Sequence, residues 1–338
     1  MELFALHDAP VEPGATAWLM EHCAAVHWFH RPRWRSIVGA AAAWLQGRPL
    51  QVGYFDDTAQ ARALRGAEDR FDLVYAYYIR SAEAARHLRR APTVLAMQLS
   101  QTLNIERMLA SFSTRRERLL YTLELPRVRS YEARVWSDFT QTVLIGPADL
   151  AAVERACGQS GQRRIDNAVL IPHGVDLSRP PPAAELQEPD TALFLGVLAT
   201  NTNVEAVLWF CREVWPQVRQ QRPNARFLVL GRRPRSVIQA LDGIDGVEVV
   251  GEVDDPAPHL ARAAVCVNPV RAGAGMQNKL LDYAAAGKAM VATSVANEGI
   301  GLPPGEAVAI ADTPNTFAAE VVRLMQDGEE RTRLGKAA

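Results

Sequence analysis

Short apolar runs alternate with amphipathic stretches from one end of the chain to the other. The runs predict strands over Glu2–Leu6, Val26–His30, Val52–Phe55, Asp72–Tyr78, Thr93–Leu99, Thr142–Ile145 and Val169–Pro172. Between them, apolar residues recur at helical spacing over Ser36–Leu45, Asp57–Arg65, Ser81–Arg89 and Pro147–Ala156. Strands with so little internal polarity are covered on both faces, and their alternation with helices makes the sheet parallel.

The pattern breaks at Leu177 to Asp190, LSRPPPAAELQEPD, which has no apolar periodicity. Three consecutive prolines continue neither a helix nor a central strand, so residues 176–190 read as a linker or surface loop. The alternation then restarts, with strands over Ala192–Gly196, Arg226–Leu230, Val247–Val250, Val265–Val270, Ala289–Ala292 and Ala307–Ile310. A long helix over Asn203–Gln221 is opened by Thr202-x-x-Glu205, a capping-box spacing. The expected fold class is α/β: two Rossmann-like, doubly wound parallel-sheet domains, residues 1–175 and 191–338. Ligands of such sheets bind beyond the carboxyl ends of the strands, so a cleft between two of them is the expected site.

The length, 338 residues, agrees with two domains of about 150 each. Apolar residues at 48% and charged residues at 22% exclude a disordered chain and a coiled coil. A net charge of −1 excludes a global basic field for nucleic acid. No run approaches the roughly 18 apolar residues of a membrane-spanning helix. The N-terminus has no basic segment ahead of an apolar one, and a cytoplasmic chain is expected. Cys23, Cys157, Cys211 and Cys266 show neither C-x-x-C nor metal-ligand spacing, and are expected as reduced, mostly buried thiols. Residues 1–175 carry 3 more basic than acidic side chains, and residues 176–338 carry 4 more acidic than basic. The basic excess includes Arg31, Arg33 and Arg35 around Trp34, and Arg115, Arg116 and Arg118. These are either solvated helix faces or a patch for an anionic membrane surface or acceptor.

The most informative stretch is Asn268 to Gly287, NPVRAGAGMQNKLLDYAAAG. A strand runs into a loop containing Gly273 and Gly275, and a helix begins near Met276 or Gln277. Glycines let the backbone approach a ligand closely. The free N–H groups and positive dipole end of a helix N-terminus suit a phosphate. Lys279, in the first turn, adds a full positive charge, and Asp282 follows one turn along the same face. A carboxylate there suits ribose hydroxyls, so a nucleoside-diphosphate site is encoded within a dozen residues. The alternative is a strand–turn–helix corner whose glycines only turn the chain.

From Gly275 to Gly287, with Lys288-Ala-Met-Val-Ala-Thr293 and Glu298-Gly-Ile300, the sequence resembles the donor-binding segment of GT-B glycosyltransferases. It is most similar to glycosyltransferase family 4, in its bacterial exopolysaccharide and exosortase-associated branches. Phe194-Leu-Gly196, Asn203–Phe210, Phe227-Leu-Val-Leu-Gly231-Arg232, Val249–Val253 and Ile171-Pro-His173-Gly-Val-Asp176 agree with that family's pattern. The resemblance is specific over about residues 165–335 and diffuse before them.

It implies a retaining, metal-independent transfer of sugar from a nucleotide-sugar to a glycan or polyprenyl-linked acceptor in cell-surface polysaccharide synthesis. No cofactor and no metal are expected, and no Asp-x-Asp motif occurs. The implied partners are that donor and acceptor, with peripheral contact at the cytoplasmic face of the inner membrane and no nucleic acid. In the family's Glu-x7-Glu motif the second carboxylate holds the ribose, and Asp282 stands there. The first position is Ala274, which leaves the sugar to backbone groups around Gly273–Met276. The Arg and Lys that relatives place after the first strand of this domain are absent from the VLATNTN that follows Gly196. Lys279 with Arg271 or Arg232 is the expected substitute for stabilising charge on the leaving group. The implied donor-binding set is Gly196, Arg232, Gly273, Gly275, Met276, Gln277, Asn278, Lys279 and Asp282. On the acceptor side, Gln98, Ser100 and Gln101 follow a buried strand, where they either face the acceptor or satisfy their own loop. His173 at the domain crossover either joins them or is structural. Asp149 and Glu154 are expected to be solvated.

Relatives begin one strand–loop–helix unit earlier and end with a crossover helix, and both are expected to be missing here. That departure keeps a second reading open, a degenerate GT-B chain that binds nucleotide-sugar or a partner transferase without turnover. A nucleotide-sugar epimerase on the same fold needs carboxylates and histidines in the cleft, which Gln98 and Ser100 do not supply.

Overall fold

A computed structural model describes residues 1–111, 114–161, 164–178 and 186–338. The chain divides into two compact units, the first ending at Ile171 and the second beginning at Pro172. Residues 179–185 of the proline-rich stretch lie outside the described residues. Its last residues, Glu188–Asp190, are strand rather than linker, and Glu188 is in register with Ala263.

The first unit holds two separate parallel ladders. Strands β1 (Glu2–His7) and β2 (Ala25–His30) pair with each other. Strands β3 (Val74–Tyr77), β4 (Thr93–Gln98), β5 (Gln141–Leu144) and β6 (Ala168–Leu170) form a sheet in chain order. The helices are α1 (Pro13–His22), α2 (Arg33–Leu45), α3 (Leu50–Phe55), α4 (Thr58–Ala67), α5 (Ala82–Ala85), α6 (Gln101–Ser111), α7 (Arg115–Val135) and α8 (Pro147–Gln159). Leu95, Met97, Leu144, Val153 and Trp136 fill the core between sheet and helices.

One expectation fails outright here. The apolar run Val52–Phe55 is not a strand but part of α3. Pro49 opens the helix, and the buried carboxylate of Glu124 on α7 accepts the Leu50 N–H. Gly53 lies directly against Gly39 of α2, where a Cβ would stand 2.5 Å from the Gly39 carbonyl oxygen. Two glycines thus let two helices touch backbone to backbone, a close approach that a larger side chain on either helix would prevent. The helix expected over Ser81–Arg89 shrinks to α5, preceded by a 3-10 turn over Ile79–Ser81.

The second unit is a six-stranded parallel sheet. Its strands are β7 (Glu188–Leu195), β8 (Arg226–Leu230), β9 (Val247–Gly251), β10 (Ala263–Asn268), β11 (Met290–Ala292) and β12 (Ala309–Ile310). Their spatial order is β12-β11-β10-β7-β8-β9. The first strand therefore lies in the middle, and the chain winds outward first to one side and then to the other, the arrangement of dinucleotide-binding sheets. The helices are α9 (Asn201–Trp209), α10 (Trp215–Gln221), α11 (Ser236–Gln239), α12 (Ala257–Arg262), α13 (Asn278–Ala285), α14 (Ser294–Glu298), α15 (Pro314–Gln326) and α16 (Gly328–Ala337). Every residue of β10 is buried, which is why its sequence shows no alternation.

Phe210, Trp215 and Phe227 meet at centroid distances of 4.5 to 5.9 Å under the sheet, and Phe317 closes the cluster. Each such ring contributes about 2–3 kcal/mol of burial. The expected helix Asn203–Gln221 is α9 and α10 joined by a π turn over Phe210–Val214. Pro216 has no N–H to give the preceding turn, and the helix widens there. Its cap is Thr200, whose side chain accepts the Asn203 N–H. The Thr202–Glu205 capping box is not formed, because Glu205 is engaged elsewhere.

Candidate functional site

The sheet of the second unit reverses its winding between β7 and β10. Three segments leave the carboxyl ends of neighbouring strands there: Gly196–Asn203 after β7, Gly231–Arg235 after β8, and Arg271–Lys279 after β10. They are laced together. Leu198 N–H donates to the Arg232 carbonyl (2.9 Å), and the Arg235 guanidinium donates to Asn201 Oδ1 (2.7 Å). Gly231 stands at φ +149°, and a Cβ there would lie 1.6 Å from the Gly196 carbonyl oxygen. The two glycines following β7 and β8 are therefore in backbone contact.

Lys279 lies at the centre, 8% exposed, in the first turn of α13. Its ammonium donates to Asn203 Oδ1 at 2.8 Å and to Gln277 Oε1 at 3.4 Å, and sits 4.7 Å from the centroid of the Phe194 ring. Asn203 in turn donates to the Val197 carbonyl (3.1 Å), which fixes its oxygen toward the lysine. Burial lowers the Lys279 ammonium to about 7, and the charge of Asp282 opposes that shift. Asp282 is exposed one turn further on; partial desolvation raises its carboxyl and Lys279 pulls it down. An ammonium held by neutral oxygens and a ring face has no hydrogen-bonded carboxylate to neutralise it, so its protonated form is open to an anion that enters.

The glycine loop is shaped for close approach. Gly273 has φ +134°, with the Thr202 methyl 3.6 Å from where a Cβ would stand. Gly275 has φ +76°, and Gly299 at the end of α14 packs on its carbonyl at a distance that admits no side chain. Met276 and Asn278 are drawn toward His173: the His173 N–H donates to Met276 Sδ (3.2 Å), and His173 Nδ1 lies 2.8 Å from Asn278 Oδ1. His173 thus belongs to the second unit and braces this loop.

Arg271 differs from expectation. It is ion-paired with Glu205 and lies 4.9 Å above the Trp209 ring. A guanidinium so engaged braces the loop against α9 rather than offering a free charge. Arg232 is exposed beside Gly231. Sequence reasoning missed Asn203 and Phe194 as holders of Lys279, and Glu205 as the anchor of Arg271. It also missed Asn268, fully buried at the end of β10, whose side-chain amide has no partner among the described residues.

In the first unit, Ser100 and Gln101 are buried and their polar groups largely used. Ser100 Oγ donates to Glu132 Oε2 (3.0 Å), and the N–H groups of Gln101 and Thr102 also donate to Glu132. Gln101 Nε2 donates to the Tyr78 hydroxyl (2.7 Å). The loop is a helix cap supplied by a distant buried carboxylate, raised by burial and pulled back down by the hydrogen bonds it accepts. Asp149 is not solvated: it is 1% exposed and accepts the Ser100 N–H at 2.7 Å. Glu154 pairs with Arg164 (2.8 Å). Gln98 ends β4 at φ +69°, beside Tyr78 at φ +68° after β3. Side-chain-bearing residues rarely adopt this backbone conformation, and two of them stand at adjacent strand ends here. Glu132→Gln removes charge from three donated hydrogen bonds and is expected to cost about 1–3 kcal/mol, read as a lower urea midpoint.

Comparison with known proteins bears on the fold and on the second unit. Residues 189–327 match the family described as glycosyl transferases group 1. An uncharacterized 44.6 kDa protein in the cps region of Klebsiella pneumoniae is 26% identical over 144 residues, 40% of this chain and 37% of that protein. Among solved structures, TarM superposes with a TM-score of 0.62 at 12% identity, over 85% of this chain and 54% of its own. HepE from Anabaena, solved with UDP and glucose, gives 0.65 at 13% identity, over 99% of this chain and 84% of its own. The chain thus spans about a third to a half of the length of the first two proteins it matches. The fold is GT-B, and residues 189–327 are similar to the glycosyl transferases group 1 family.

Proposed function

We propose that the chain is a family 4 glycosyltransferase that moves a sugar from a nucleotide-sugar to a glycan or polyprenyl-linked acceptor in cell-surface polysaccharide synthesis. It works in the cytoplasm, retains the anomeric configuration and needs no metal. The observation that carries the reading is Lys279, a buried cation on neutral partners at the winding reversal of a dinucleotide-type sheet. Departure of a nucleoside diphosphate places negative charge on its phosphates. Lys279 and the N–H groups of the Gly273–Gln277 loop stabilise that charge where it develops. Asp282 holds the ribose, and the backbone of Gly273–Met276 meets the sugar. Arg232, exposed at the rim, adds charge, and Arg271 positions the loop. HepE solved with UDP-glucose and the Klebsiella protein's place in a cps region support donor and pathway class. In the first unit, Gln98 and Tyr78 are the acceptor-facing residues, while Ser100 and Gln101 hold the loop that carries them.

A second reading, binding without turnover, is favoured by Ala274 at the position of the first motif carboxylate. Product analysis separates the two. Incubation with sugar nucleotides and a bacterial lipid extract is expected to release nucleoside diphosphate and yield a glycosylated lipid, both lost in Lys279→Ala. Nucleotide binding without any product supports the second reading and overturns the first.

A further inference from the structure

Asn268 is the last residue of β10 and the one polar residue in a strand that reads AAVCVN. It is fully buried, and its backbone is in use: the carbonyl accepts the Thr293 N–H at 3.3 Å, and the residue stands in register with Ala292 of β11. An apolar side chain would serve the sheet as well. The ladder between β7 and β10 ends at Leu193 and Cys266. Beyond it the Tyr283 hydroxyl of α13 stands between the two strands, accepting the Leu195 N–H at 2.9 Å and donating to the Val267 carbonyl at 3.3 Å. Asn268 follows that wedge directly. Among the described residues nine buried side-chain nitrogen and oxygen atoms lack a hydrogen-bond partner, and four of these are both amide atoms of Asn268, Arg271 Nε and Glu205 Oε2. Unmet polar groups therefore gather at the root of the Arg271–Lys279 segment.

An unpaired buried amide destabilises the free chain, and such a group calls for a role outside it. The glycine segment that follows supplies one. In a trans peptide the carbonyl points opposite to the N–H, and every peptide here is trans. When the N–H groups of Gly273–Gln277 turn toward a phosphate, the carbonyls of the same peptides turn back toward the strand ends. Gly273 and Gly275 leave that turn open to the backbone, because glycine takes both signs of φ. The root of the segment is already tied down: Thr293 Oγ donates to the Val270 carbonyl, and Glu205 pairs with Arg271. The glycines are thus the part that turns, and the Asn268 amide lies at the strand end their carbonyls turn to.

We propose that Asn268 is a positioning residue of the donor site, whose amide pairs with backbone groups of the Arg271–Gln277 segment when a nucleoside diphosphate seats on it. This inference rests on the donor reading given above. Val and Thr have nearly the same shape and differ by a hydroxyl, so comparing them isolates the polar contact. The test is urea unfolding and calorimetric titration with UDP, GDP, ADP and TDP at pH 6.5, on the whole chain as wild type, Asn268→Val and Asn268→Thr. Without nucleotide, Asn268→Val is expected to have a higher urea midpoint than wild type, yet to bind nucleoside diphosphate about tenfold more weakly. Asn268→Thr keeps a donor and an acceptor, and is expected to be less stable than Asn268→Val but to bind several-fold more tightly. A role in the fold alone moves stability and binding in the same direction. A midpoint for Asn268→Val at or below that of wild type, or failure of that variant to fold, shows the amide satisfied in the free chain and overturns the proposal. A higher midpoint with unchanged binding overturns it too. Wild type that binds none of the four nucleotides overturns the donor reading, and this inference with it.

Discussion

Lys279→Met is expected to bind nucleoside diphosphate about 100-fold or more weakly and to be more stable than wild type. The two effects have one cause. Burial lowers the ammonium from 10.5 to about 7, so folding desolvates a charge. Removing the charge recovers part of that cost, on the order of 2 kcal/mol after loss of the Asn203 hydrogen bond. Truncating a buried charge that meets a ligand anion costs binding about 2–5 kcal/mol in the other direction. The sign in pH follows. The unfolded lysine holds its proton up to about 10.5 and the folded one only to about 7. Wild-type stability therefore rises with pH across that window, and the rise disappears in Lys279→Met. Binding runs oppositely. The anion needs the protonated form, so affinity falls about tenfold per pH unit above 7. Urea unfolding and calorimetric titration with UDP and GDP at several pH values read both. A variant that is less stable than wild type and binds equally well contradicts this assignment.

Gly231→Ala is expected to destabilise the second unit strongly and to lower its urea midpoint well below that of wild type. The residue sits at φ +149°, and its Cβ would lie 1.6 Å from the Gly196 carbonyl oxygen. That contact is with backbone, so no side chain can swing aside. Separating β7 from β8 there disrupts the ladder from Thr191 to Leu195 and the loops that frame Lys279. The cost is about 3 kcal/mol or more. Gly243→Ala is the control: it shares a positive φ, +76°, but meets nothing within 4 Å. Its cost is the backbone term alone, about 1–2 kcal/mol. Equal urea midpoints for the two variants would show that the contact between Gly196 and Gly231 is unimportant.

The second unit was legible because its central strands are buried apolar runs of five to eight residues, and its candidate chemistry lies in one continuous segment. Asp282 and Lys279 face the same way because they share one helical turn. What was not legible depends on residues far apart. Asn203 is 76 positions from Lys279, and Glu205 is 66 from Arg271. Without those distances Arg271 reads as a free cation and Glu205 as a cap. In the first unit, the four residues VGYF fit a strand or a buried helix equally well. Only the meeting of Gly39 with Gly53 decides between them, and that contact is tertiary. Ser100 and Gln101 looked ligand-facing because polarity after a buried strand has two explanations. The answer lay in Glu132 and Asp149, whose apparent helix-face polarity gave no hint of burial.

The central claim is that the winding reversal of the second unit holds a nucleoside diphosphate on Lys279. The most direct measurement is calorimetric titration of wild type, Lys279→Ala and Asp282→Ala with UDP, GDP, ADP and TDP at pH 6.5. The account predicts selective binding of one of these by wild type, with a loss of about 100-fold in Lys279→Ala and a smaller loss in Asp282→Ala. Binding of none of them by a wild-type chain that melts cooperatively, or binding that Lys279→Ala leaves intact, would contradict it.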